Sequence, residues 1–208
     1  MLLLPLVSAL TTVLSTPGEA IGSQYSTAVA PPGSIPPLYR FLQQHFDSTI
    51  VYQQQGSWNQ GPNMLILSKK GQQVYFFTYR SPYQPTQGHY IPGGLTQKFS
   101  KQEARFRAIQ PDTNQYFLPQ RVSEPVLKQT WKNLHPTQLW QVRNNDARSS
   151  DEECIIEDAS TVTLWFLTRA NSRTACFYAP DFYEECAGPG VNRRQAIKTR
   201  MALEALLR

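Results

Sequence analysis

The sequence predicts an α+β fold: an antiparallel sheet of about five or six strands with three or four helices. Three observations predict it. Two pairs of strand-like runs, residues 64–68 with 73–80 and 161–168 with 174–179, are joined by links too short for a parallel crossover. Segments with apolar residues at helical spacing stand before and after these pairs. The composition, 40% hydrophobic and 17% charged over 208 residues, suits one ordinary core and excludes disordered, collagen-like and low-complexity classes.

Residues 2–14 form an apolar run shorter than the roughly 20 residues that span a bilayer. With Gly18 and Ala20 at the −3 and −1 positions, residues 1–20 read as a cleaved signal peptide, although no Lys or Arg precedes the run. Residues 21–35 are a Pro/Ser/Gly-rich arm, and residues 36–208 a single α+β domain. No later stretch is long enough to span a membrane. The expected product is soluble and exported, periplasmic or extracellular.

Pro36 and Pro37 suit the first turn of a helix, with Leu38, Phe41, Leu42, His45 and Phe46 on one face. Residues 49–52 read as a strand. The first hairpin turns at Lys69-Lys70-Gly71, where the glycine can take positive φ. Residues 81–98, with Pro82, Pro85, Pro92 and Gly93-Gly94, make a long connection, either functional or covering. Ser100-Lys101-Gln102-Glu103 matches a capping box and places a helix over 102–108. Ser123-Glu124-Pro125 opens another, with Leu127, Thr130, Trp131 and Leu134 on one side. Residues 139–142 read as a strand and 144–153 as a polar loop. Pro180 ends the second hairpin, and Gly188-Pro189-Gly190 leads into a helix over 192–207. The order helix–strand–hairpin thus stands twice, compatible with two divergent halves sharing one sheet.

Three cysteines in an exported chain point to one disulfide and one thiol. With the second hairpin turning near Ala170-Asn171, a continued ladder brings Cys154 opposite Cys186 and leaves Cys176 facing Leu164–Trp165 as a small buried hydrophobe. The expected bridge is Cys154–Cys186, with Cys176–Cys186 the alternative.

The formal net charge of +5 is too mild for a nucleic-acid signature. Lys98, Lys101, Arg105 and Arg107 surround Glu103 and read as a solvated face, so no specific nucleic-acid partner is expected. Arg193 and Arg194 open the last helix beside Gly188 and Gly190, which is the chemistry of an anion site. A carboxylate from residues 151–153, Glu184 or Glu185 would satisfy the same guanidiniums internally. Trp58, Tyr75, Tyr79, Tyr83 and Tyr90 are candidates for an aromatic surface that binds a sugar or an extended peptide. The plainer reading is that both aromatic-rich hairpins are central, with each face covered. His45, His89 and His135 are too scattered for a zinc motif, so neither metal nor cofactor is expected. His89, Asp181 and Glu184 are the weak candidates for acid–base chemistry. The functional expectation is a binding or interaction module for a peptide, glycan or small anion, with a small secreted hydrolase as the alternative.

Overall fold

A computed structural model describes residues 35–56, 63–81, 92–144 and 154–208. The chain is α+β, and its six strands form one open antiparallel sheet. The strands are β1 (Ser48–Gln55), β2 (Asn63–Lys70), β3 (Gln73–Tyr79), β4 (Phe117–Pro119), β5 (Thr161–Thr168) and β6 (Ser172–Tyr178), in the order β4-β3-β2-β1-β5-β6. Hairpins β2–β3 and β5–β6 lie on opposite sides of β1. Gly71 takes a φ of +57° in the first hairpin turn, the conformation its lack of a Cβ permits.

Alternation along the strands sorts side chains onto two faces. On one, Ile50, Tyr52, Leu67, Phe76, Leu164, Phe166 and Phe177 form a core with Leu127, Leu139, Ala196 and Leu203. Those last four belong to α3 (Glu124–Asn133), α4 (Pro136–Leu139) and α6 (Val191–Glu204), which cover this face. On the other, Val51, Met64, Ile66, Tyr79 and Leu167 pack with Leu38, Tyr39, Leu42 and Phe106. Here the covering helices are α1 (Pro37–His45) and α2 (Gly93–Ala108). Tyr39 joins helix to sheet: its ring stacks on Trp165 at 4.5 Å and its hydroxyl donates to Gln53 Oε1 at 2.9 Å. Burial pushes that phenol far above its ordinary pKa.

Cys154 and Cys186 form the expected disulfide, with Cα atoms 5.9 Å apart. The ladder ends at Thr161 and Tyr178, short of both cysteines. Cys186 instead closes α5 (Pro180–Cys186), a helix that follows β6 directly. Cys176 stands opposite Thr163, not Leu164–Trp165. It is only partly buried, which corrects the expectation of a core cysteine. The physical reason is its place on edge strand β6, on the sheet face covered by α1 and α2, whose buried cluster extends to β5 but holds no residue of β6.

Residues 139–142 are not a strand: α4 ends at Leu139, and Leu139 and Val142 bury one turn apart. Among the described residues the second half therefore has no counterpart of β1, and the element order does not repeat there. Helix α2 begins at Gly93 rather than 102, so Ser100 lies inside it, and Pro92 occupies the N-cap position. The described chain has six α-helices rather than three or four. No helix among the described residues is long and apolar enough to cross a membrane.

Candidate functional site

Aromatic side chains gather where α1 leaves the β3–β4 side of the sheet partly open. Tyr75 and Phe77 point to the same face because they are two residues apart on β3. Their rings stack at 6.4 Å, and Phe77 stacks on Phe117 of β4 at 4.7 Å. Phe41 of α1 meets Phe117 edge-on at 6.0 Å and His45 at 4.4 Å. Beneath them Phe46, at the end of α1, is buried and packs edge-on against both Tyr75 and Phe77. The result is a continuous strip, Tyr75–Phe77–Phe117–Phe41, in which every residue is only half-buried. The Tyr75 hydroxyl is oriented by Gln73.

Tyr79 lies on the same face but is fully buried, packed on Phe106 and Tyr116, so it supports the surface from within. Trp58, Tyr83, Tyr90 and His89 lie outside the described residues. Phe117, Phe77 and Phe41 are the strip residues not among the sequence's surface candidates, Phe41 being read there only as part of a helix face. A signal existed for the first, since Tyr116-Phe117-Leu118-Pro119 is a short apolar run closed by proline.

The two arginines at the start of α6 meet an internal anion. Glu184 accepts the Gly190 N–H at 2.9 Å, Arg193 Nε at 3.4 Å and Arg194 Nε at 2.7 Å. Arg193 is buried and also donates to the Gly188 carbonyl at 2.5 Å. Its guanidinium lies across Gly190, where an added Cβ would meet it at 3.1 Å, so the glycine permits the close approach. The Gly190 N–H, helped by Arg194 and Arg193, holds the Glu184 carboxyl below its usual range. An anion from solution would have to displace Glu184 from these partners.

Asp181 is likewise engaged, gripped by Arg200 through two hydrogen bonds of 2.7 and 2.8 Å. Both carboxylates proposed for acid–base work thus already hold guanidinium partners. Among the described residues no cluster of three or more His, Cys, Asp or Glu is placed to hold a metal ion. On α2, Lys98, Lys101, Arg105 and Arg107 are exposed, and Glu103 pairs with Arg107 at 3.5 Å and accepts from Ser81.

Comparison with protein-family models, with curated proteins and with solved structures finds no match. Function has to be read from the side chains themselves. Of the two features that the sequence raises, the aromatic surface is only half-buried, and the arginine pair has a resident carboxylate.

Proposed function

We propose that the domain is a binding module that holds its ligand against the strip Tyr75–Phe77–Phe117–Phe41. The observation that carries this is the unbroken run of half-buried aromatic residues, stacked along β3 and β4 and joined edge-on to Phe41 of α1. Aromatic rings supply contact area with little conformational entropy to lose, and they suit the apolar faces of sugar rings or the side chains of an extended peptide. His45 at one end and the Tyr75 hydroxyl at the other add polar handles. A disulfide in a chain of this size accords with work in an oxidising compartment, periplasmic or extracellular.

An NMR titration with neutral oligosaccharides in one arm and Pro- and aromatic-rich peptides in the other tests this reading. Amide shifts in 73–79, 117–119 and 41–45 are expected with one of the two. Phe117→Ala should weaken that binding about tenfold, the loss of one well-packed ring contact. Shifts that map elsewhere, or none with either class, would overturn it.

A hydrolase is the second reading. His89 lies outside the described residues, and Asp181 and Glu184 are held as ion pairs, so the geometry supports binding better.

A further inference from the structure

A neighbouring flank of α1 borders an open hollow of about 340 Å³ lined by Arg40, Gln43, Gln44 and Arg169. Three of these come from α1 and the fourth from the β5–β6 turn. Around the helix Gln44, Arg40 and Gln43 lie about 60°, 100° and 160° to one side of Phe41, so the hollow adjoins the aromatic strip without sharing a residue with it. We propose that this hollow binds the oxyanion of a small ligand, a carboxylate or phosphate carried beside a hydroxyl group.

The lining chemistry selects that class. Arg40 and Arg169 both line the hollow, and no carboxylate does. Guanidinium forks match the geometry of carboxylate and phosphate oxygens. Gln43 is fixed: its Nε2 donates to the Thr168 and Asn171 carbonyls at 3.0 and 3.3 Å. Both amide protons are thereby used, leaving its Oε1 as an acceptor for a ligand hydroxyl. Arg169 is oriented by Asp47, 2.8 Å away, and Asp47 also accepts the Gly71 N–H at 2.6 Å. That N–H, with Arg169, Lys69 and Lys70, keeps the Asp47 carboxyl below its ordinary range. Asp47 thus stands against Arg169, Lys69 and Lys70, and with Arg40 on the hollow the neighbourhood retains a positive excess. That excess would also draw anions toward the hollow.

Isothermal titration at constant ionic strength with glucuronate, inorganic phosphate and methyl glucoside tests the proposal. Saturable binding of glucuronate, phosphate or both is expected, with none of the neutral sugar at this site. Glucuronate alone would assign a carboxylate ligand, and phosphate alone a phosphate. Arg40→Glu should weaken binding about tenfold or more, the loss expected for a charge-assisted hydrogen bond, while Arg40→Lys retains part of it. Arg40 is exposed on α1, and circular dichroism checks that the variants fold. No saturable oxyanion binding, or binding equally tight in Arg40→Glu, overturns the proposal; the latter would point to another cation cluster such as Arg193 and Arg194. Failure here leaves the aromatic strip unaffected, because its ligands are read by the amides of 73–79 and 117–119 on β3 and β4, where the hollow has no residue.

Discussion

Glu184 shows how one side chain can determine what a charged cluster does. Its carboxylate accepts from a backbone N–H and two arginines, and Arg193 is buried on top of Gly190. Because the folded state holds this carboxyl below its ordinary pKa, its contribution to stability is full above the usual carboxylate range. It is lost as pH falls through the lowered value. Glu184→Gln should therefore be less stable than the parent at neutral pH, with the gap closing on acidification. Urea unfolding over a pH series measures this; a gap that stays constant with pH would show that the carboxylate's charge is not the cause. The same scale explains Cys176, whose exposure follows from its place on an edge strand and not from its chemistry.

At the scale of elements, proline had two meanings that local sequence did not separate. Pro180 ends β6, but it also opens α5, with Asp181 in the first turn and Ala179 turned to a φ of +41° to make the corner. Pro136 likewise opens α4 and leads into the turn where the sequence suggests a strand: the run of four is too short to show a period, and Leu139 and Val142, three apart, fit the helical one. The hairpins were legible because alternation and turn chemistry agree there, and β5 spans the expected residues. The disulfide pairing emerges from the hairpin register, yet the structure makes it through α5, with the ladder ended well before. The hairpin still set which chain ends were neighbours. Opening this bridge, with its sequence separation of 32, should cost about 3–4 kcal/mol by the loop-entropy relation. Denaturant unfolding of Cys154→Ser with Cys186→Ser checks the value, and a loss under about 1 kcal/mol would mean the α5–α6 packing already holds this region.

For the whole molecule, the decisive feature is that both faces of one sheet are covered, but unevenly. The face carrying Leu164, Phe76 and Phe177 is sealed by α3, α4 and α6. The other has α1 and α2, with the aromatic strip partly open on one flank of α1 and the basic hollow on a neighbouring one. Leu164 is completely buried, and Leu164→Ala should destabilise the protein by about 2–5 kcal/mol. Val126, exposed on α3, should tolerate alanine within about 0.5 kcal/mol. Thermal or chemical melts of both variants compare the faces directly; equal losses would contradict a core centred on that sheet face.

The sequence by itself determined the fold class, the two hairpins and the identity of the bridged cysteines, because periodicity and turn residues act over a few positions and need no distant partner. It also supplied Tyr75 and the two arginines of α6 as residues of interest. Only the tertiary structure decided what they do. Tyr79 went inside while Tyr75 stayed at the surface, because Phe106 and Tyr116 cover one end of β3 and not the other. Arg193 met Glu184 because α5 turns back on α6. Arg40 and Arg169 lie far apart along the chain and share no local pattern, so only the docking of α1 beside the β5–β6 turn makes them neighbours.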